Sequence, residues 1–567
     1  MTKNKSILLL LGIIVGFFVL NSLWIKLDNQ LPMIGDDARW LEETNRLTQT
    51  IKTGDINLIW QKWQDTFIKD TNSFPRTPLF VLLSVPVFFF TGPNENAAII
   101  FNAFVFALTG VLLYFFCQKI FEQNKFRKEI GLISVLLFNL YPGYYGFARL
   151  YMSEILQVFF VLLITFFINK FKDTFSIRVW FFLGLLLALA MLLRFLMPIY
   201  IGLPVVYFLF KQFKLIKKFP AGQIIIKTGF AIIFFMIGFL PVFLSWFGKN
   251  LVTYWEFTKY TSSGELANIA TLGPVLSPIT MLRFWKVIAL WHFSWPLVLF
   301  ELIILIIILF KSKAIGLKIF YKEIISRFSF KGFNIGKIFT NNDFWNGQDV
   351  KAFLALIILP LPAFLIATFS LNKTARYFLP VEFFWIIVFG YLIVFIWQYK
   401  NLIIRGICVI FLLLLSYQFA QGFLPSIRVL PQTGFILTTG HYQPTDSSQK
   451  NYDYLYNFFQ KELAKNQDLK IYLVPEQTTL NDAELIWYFT QKGMKINTIG
   501  EFSVYNTLDQ GYTKLDLADY VIVNTKPNLA EKYYLQYSQI VSKIKGGNFL
   551  KITEDENLGL IIFVKVV

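Results

Sequence analysis

Long apolar runs alternate with short charged segments over the first three quarters of the chain. About eleven runs read as membrane spans: 7–25, 97–118, 130–146, 155–169, 179–193, 196–210, 228–247, 288–310, 352–370, 380–398 and 403–420. A helix needs about twenty apolar residues to cross about 30 Å of hydrocarbon. A further run, PLFVLLSVPVFFF (78–90), has thirteen residues with Pro86 inside. It is too short to cross comfortably, and it predicts a helix dipping into one leaflet.

The polar stretch between the first span and that run has a helical period. ARWLEETNRLTQTIKT (38–53) places Trp40, Thr44, Leu47 and Ile51 on one face. INLIWQKWQDTFI (56–68) does the same with Ile56, Ile59, Trp60, Trp63 and Phe67. Tryptophan-rich amphipathic helices lie in the headgroup plane. Pro75 and Pro78 in FPRTPLF (74–80) predict a turn before the short apolar helix.

Beyond the last span the period changes. KIYLVPE (470–476), MKINTIGE (494–501), ADYVIVNT (518–525) and LIIFVKV (560–566) read as strands, and 481–493 and 528–545 as helices. Alternating strand and helix predicts a small α/β domain. It contains no Gly-rich phosphate loop, His/Cys cluster or nucleophile elbow, which suits a gating or scaffolding role. The fold class is therefore a polytopic α-helical membrane protein of about eleven spans. Interfacial helices occupy the first outer loop, and an α/β domain follows the last span. The predicted domains are 1–420 and 421–567.

Composition agrees. The 567 residues are 56% hydrophobic with mean hydropathy +0.55, which excludes an ordinary soluble protein. The first run follows Lys3 and Lys5 and lacks a small-residue cleavage site, so it is read as a retained span. Cys117 and Cys408 lie in or beside apolar runs and provide neither a disulfide framework nor a metal cluster.

Charge sets the sides. If 78–90 does not cross, one set of connecting segments carries 24 Lys/Arg against six acids, an excess equal to the whole net charge of +18. The positive-inside rule puts that set and the N-terminus in the cytoplasm. The excess is thus a topological signal, and nucleic acid is excluded as a partner. The 27–77 loop, the 147–154 turn, the 248–285 loop, the 371–379 turn and the C-terminal domain then face outward from the cell membrane.

Five motifs follow in order: GDDARW (35–40), FPRTPLF (74–80), YMSEILQVFF (151–160), LLRFLMP (192–198) and NKTARYFLP (372–380). Together, over roughly residues 1–400, they resemble the GT-C superfamily of polytopic membrane glycosyltransferases. The resemblance is to its protein O-mannosyltransferase-like and aminoarabinose-transferase-like branch. It implies a polyprenyl-phosphate sugar donor, transfer outside the membrane, usually with inversion, and no nucleotide. It implies no cofactor and leaves dependence on a divalent metal open. The family's Asp-Glu pair is matched by Asp36-Asp37, with Asp in the second place. Its acid at the second outer turn corresponds to Glu154. Its basic loop-end residue corresponds to Arg76, its Leu-x-Arg step to Arg194, and its Arg-Tyr-x-x-Pro motif to Arg376, Tyr377 and Pro380.

That chemistry needs a base for the acceptor hydroxyl and cations for the departing phosphate. Carboxylates at span ends are costly unless used, which marks Asp36, Asp37 and Glu154. Asp36 is the candidate base, with helix capping by Asp36 as the alternative and Asp37 in the dipole-favoured first turn. Glu154 either contacts the acceptor, holds the Asp36 loop, or is a first-turn charge behind a Ser153 cap. Arg76, Arg194 and Arg376 match phosphate oxygens bidentately; the alternative is snorkelling at span ends. Arg149 either pairs with Glu154 or binds phosphate. His292 and His441 lie too far apart in the chain to argue for zinc.

Two other classes compete. A transporter or flippase of lipid-linked sugars predicts inverted repeats and polar residues at the midplane, whereas the polar residues here gather at outer span ends. An oligosaccharyltransferase-like enzyme is expected to carry Trp-Trp-Asp, and the chain contains no Trp-Trp pair. The sugar and the acceptor, whether glycan, lipid or protein, are not encoded legibly.

Overall fold

The computed structural model describes residues 3–27, 35–65, 76–263, 274, 276–289, 292, 347–370, 375–398, 402–421, 448–466, 468–475, 480–502, 508–525 and 531–566. Its helices in chain order begin with α1 (Lys3–Leu27), α2 (Gly35–Lys52), α3 (Ile56–Gln64), α4 (Leu79–Thr91), α5 (Glu95–Ile120), α6 (Arg127–Leu140) and α7 (Pro142–Ala148). Next come α8 (Glu154–Phe171), α9 (Ile177–Leu193), α10 (Met197–Ile216), α11 (Ala221–Ser263), α12 (Pro278–Ile288), α13 (Gly347–Ile358) and α14 (Leu361–Phe369). A single 3₁₀ turn, Ala375–Tyr377, leads into α15 (Leu379–Trp397), and α16 (Leu402–Gln421) follows.

Every expected span except 288–310 falls on one of these helices or on a helix pair. Beyond Ala289 and His292 that run lies outside the described residues. Seven helices among the described residues are long and apolar enough to cross a bilayer, or eight with α6 and α7 counted together. α9 and the Arg405–Ala420 part of α16 are shorter apolar helices. α6 and α7 meet at a 63° bend, where Pro142 starts the second piece because its ring cannot continue the first. α9 and α11 pack with their backbones nearly touching. A Cβ on Gly184 would stand 2.2 Å from the Phe235 carbonyl oxygen, and one on Gly238 2.2 Å from that of Phe181. Only glycine permits that approach, which is how membrane helices gain van der Waals contact where lipid offers no hydrophobic drive.

The two ends of the bundle differ in kind. At one end, Gln212 Nε2 donates to the carbonyls of Phe171, Lys172 and Thr174, and Lys211 reaches Asp173 at 3.5 Å. Lys119, Glu122, Lys172 and Lys211 lie close enough there to act on one another's charge. Among the described residues, the basic segments around Lys119, Lys172 and Lys211 therefore meet at one end. The opposite end gathers the 149–153 turn, the α9–α10 break and the 375–378 turn.

α4 packs beside the Tyr151 turn at that second end. Phe80 and Phe88, at opposite ends of the helix, both pack on Tyr151, with ring centroids 4.8 and 6.3 Å away. α3 is joined to the part of α11 at this end by Lys249–Asp65 at 3.0 Å and by Asn250 Nδ2 donating to the Gln64 carbonyl. Its Ile56 and Trp60 stay exposed, as expected of a headgroup helix, while Trp63 is buried; Phe67 lies outside the described residues. α2 is buried more deeply. Trp40, Thr44 and Leu47 face α4 and the Tyr151 turn, and a second face is covered by the C-terminal region.

That region continues with α17 (Ser448–Leu463), β1 (Lys470–Val474), α18 (Asp482–Gln491), β2 (Asn497–Glu501), α19 (Leu508–Leu517), β3 (Tyr520–Asn524), α20 (Glu531–Gly546), β4 (Phe549–Asp555) and β5 (Leu560–Lys565). The sheet order is β2-β1-β3-β5-β4, parallel across β2, β1 and β3 and antiparallel beyond. Alternate strand residues face two cores. Ile471, Leu473 and Ile522 meet α17 and α18, whereas Tyr472, Val474 and Val521 meet α19 and α20. The sequence reading omits β4, because this edge strand buries little and shows no clear alternation. α18 also packs outward: Ala483 and Trp487 join the core of the helical bundle, and Phe88 meets Trp487 at 6.3 Å.

Candidate active site

Local sequence explains how the site residues are presented. The turn before α8 is pinned from α5, where Asn102 Nδ2 donates to the carbonyls of Phe147 and Leu150 at 2.9 and 2.6 Å. Tyr151 in the same turn shares a 2.8 Å hydrogen bond with Thr44 of α2. Burial pushes the Tyr151 phenol up, against the opposing hydrogen bonds from Ser84 and Thr44, so it remains a neutral donor. Ser153 holds the cap position of α8, but its hydroxyl takes the Gln157 amide at 3.1 Å and bonds no backbone N–H of the first turn. Glu154 is therefore the first helical residue, where the helix dipole favours a carboxylate.

Arg194 and Arg376 are presented by the same device. Each lies four residues before a proline, in RFLMP (194–198) and RYFLP (376–380), and each proline opens a helix, α10 or α15. A proline there fits the helix start and prevents the preceding residues from joining the same helix. Arg194 has extended backbone angles, φ −163° and ψ 132°, which swing it off the α9 axis. This spacing was a legible signal that the sequence reading left unused.

The two arginines converge on Glu154. Arg194 Nη1 donates to Glu154 Oε1 at 3.2 Å, and Arg376 Nε lies 3.9 Å from the same oxygen. Glu154 is buried, and its Oε2 has no hydrogen-bond partner among the described residues. The Arg194 guanidinium lies over the Tyr377 ring at 4.6 Å, and Tyr200 donates its hydroxyl proton to the Tyr377 carbonyl at 2.7 Å. Burial opposes the Arg194 charge, but Tyr377 and Glu154 outweigh it, so the guanidinium pKa lies above its ordinary value.

Arg76 joins through its neighbours. Its guanidinium lies over the Trp40 ring at 5.4 Å, and Tyr254 stands within electrostatic reach of both Arg194 and Arg76. Trp40 lies one helical turn beyond Asp36 and Asp37, so the acidic pair opens the helix that leads to Arg76. Asp37 is buried. Because α2 starts at Gly35, Asp36 falls within the first turn, which places the cap upstream of it; the Asp36 side chain lies outside the described residues. His441, Phe74 and Pro75 lie outside them as well.

Two expectations change. Arg149 does not pair with Glu154. It is buried with Nε donating to Asn21 at 3.0 Å, and its guanidinium lies 5.0, 4.7 and 5.1 Å from the rings of Trp24, Tyr145 and Phe419. These cation–π contacts tie α7 to α1 and α16. His292, read as part of an aromatic stretch, forms a second buried cluster. Its Nδ1 lies 2.6 Å from Glu382 Oε1, and Tyr141 donates to Glu382 Oε2 at 3.1 Å. Glu382 is the only charged residue in α15, a signal available from the sequence, since a carboxylate in an apolar helix demands a partner. The cluster fastens α15 just behind Arg376 and Tyr377.

Comparison with solved structures is decisive for the architecture. A crystal structure of ArnT from Cupriavidus metallidurans bound to undecaprenyl phosphate superposes with a TM-score of 0.52 at 12% identity, covering 100% of this chain and 99% of that one. The chain has the GT-C fold. The apo structure of the same ArnT gives a TM-score of 0.50 at 12% identity, covering 97% and 98%. The family model of dolichyl-phosphate-mannose-protein mannosyltransferase matches residues 75–246 of this GT-C chain, the stretch that holds Arg76, Glu154 and Arg194. No curated protein matches at the level of sequence.

Proposed function

We propose that the protein is a membrane glycosyltransferase that moves a sugar from a polyprenyl-phosphate donor to an acceptor hydroxyl on the outer face of the membrane. The observation that carries this reading is the convergence of Arg194 and Arg376 on Glu154 at one end of a GT-C bundle. The likeness to an ArnT crystallised with undecaprenyl phosphate supports the donor class.

A phosphodiester donor carries one negative charge. Glu154 offsets one of the two guanidinium charges, so the remaining charge matches the donor. As the glycosidic bond breaks, the leaving phosphate gains a second negative charge. Arg194, Arg376 and Arg76 then meet more anion in the transition state than in the ground state, the condition for catalysis by charge stabilisation. Tyr377 stacks on Arg194 and fixes its plane. Asp36 takes the acceptor proton during attack from the opposite face, which inverts the anomeric centre. Asp37 holds the start of α2. Glu154, engaged by two cations, is poorly suited as a base and serves to order them.

Purified protein should release polyprenyl phosphate from one member of a panel of polyprenyl-phosphate sugars when an acceptor is supplied. Arg376→Lys keeps the charge but loses the planar fork, and should weaken donor affinity by about 1–2 kcal/mol, with Arg376→Ala worse. Equal donor affinity in all three proteins would leave Arg376 a purely structural role. No release from any donor would remove the transferase reading.

The orientation is part of the same proposal, because it rests on the basic loops facing the cytoplasm. A membrane-impermeant thiol reagent applied to intact cells should label a cysteine placed at Lys492 and spare one at Lys214. The reverse pattern would put the site in the cytoplasm and overturn transfer outside.

A further inference from the structure

α18 belongs to two cores at once. Leu485 and Phe489 pack on the C-terminal sheet, while Ala483 and Trp487 are buried in the helical bundle. Its first residue, Asp482, is 3.5 Å from Arg39, just past the first turn of α2, and the carboxylate is almost fully buried. Arg39 follows Asp36 and Asp37 by three and two positions. Trp487 is fully buried against Phe88 of α4, the helix that supports the other face of α2. α18 is itself held rigidly: Asn481 caps it by accepting from the Glu484 N–H, and Tyr452 donates to Glu484 at 2.7 Å.

We propose that α18 is a clamp that fixes the start of α2, so that Arg39, Asp482 and Trp487 are positioning residues for the Asp36–Asp37 pair. The assignment rests on the transferase reading above. Most of the stability of an amphipathic helix such as α2 comes from tertiary packing. A largely buried ion pair one turn into α2 fixes both the rotation of α2 about its axis and its height over the arginines. The C-terminal domain thus completes the site without contributing a reacting group.

The test uses the full chain in nanodiscs, with two readouts. The first is hydrogen–deuterium exchange of residues 35–44, which requires no turnover. Asp482→Asn keeps the shape of Asp482 and removes its charge. It should speed exchange in that segment while leaving α10 unchanged. The second is kinetic. Turnover should fall by about tenfold to a hundredfold, as for a misplaced catalytic group, with the donor KM and the affinity for undecaprenyl phosphate near those of the unsubstituted protein. The charge-reversed pair, Arg39→Asp with Asp482→Arg, should recover both readouts, which a folding defect would not allow. Trp487→Phe, which keeps most of the packing, should lie between. Unchanged exchange at 35–44 in Asp482→Asn would overturn the clamp. Faster exchange with unaltered turnover would overturn its role in positioning. An unsubstituted protein inactive on every donor would refute the transferase reading instead, and exchange would still decide the clamp.

Discussion

Asp36→Asn is expected to reduce turnover by about hundredfold or more, the usual contribution of a positioned base, while donor binding and expression stay near normal. Asparagine keeps the size of the side chain and loses only its basicity. Because α2 begins at Gly35, Asp36 lies in its first turn and is not the cap, so the substitution removes at most a modest dipole contribution, roughly 0.3–1 kcal/mol. The loss should therefore appear in turnover far more than in stability. Steady-state kinetics with a polyprenyl-phosphate sugar, beside a thermal melt of the same preparation, separates the two. Turnover like that of the unsubstituted protein would transfer the base role to Asp37 or Glu154.

Glu154→Gln should act in the opposite way, chiefly through stability. It leaves Arg194 and Arg376, both mostly buried, without the carboxylate they share. Breaking a buried pair from one side costs about 3–5 kcal/mol, and the partial exposure of the arginines puts this site near the lower figure. The apparent melting temperature should fall. Undecaprenyl phosphate should then raise it more in the variant than in the unsubstituted protein, because the lipid anion supplies the charge that glutamine lacks. A melting temperature indifferent to Glu154→Gln, with an equal response to the lipid, would show that Glu154 does not order the arginines.

The His292–Glu382 pair illustrates how part of a site escapes linear reading. Glu382 was visible as a lone acid in an apolar helix, but nothing near it in the chain identifies its partners. His292 and Tyr141 come from separate elements and meet it only after the bundle packs. Arg149 shows the converse. Its proximity to Glu154 in the chain suggested a pair, yet the turn directs it into the rings of Trp24, Tyr145 and Phe419.

By itself the sequence determined the membrane helices and the α/β character of the C-terminal region. Span length is dictated by hydrocarbon thickness, and charge distribution follows from the cost of burying ions, so both are written locally in the chain. The strands of the C-terminal domain were legible for the same reason, except β4, whose edge position removes the alternation that marks a strand. Tertiary structure alone decided that α4 packs on Tyr151, that Arg194 and Arg376 share one oxygen of Glu154, and that α18 reaches across to Arg39. Each of these joins groups far apart in sequence. Their pairing is set by which faces the packed helices bring together, and no local periodicity encodes it.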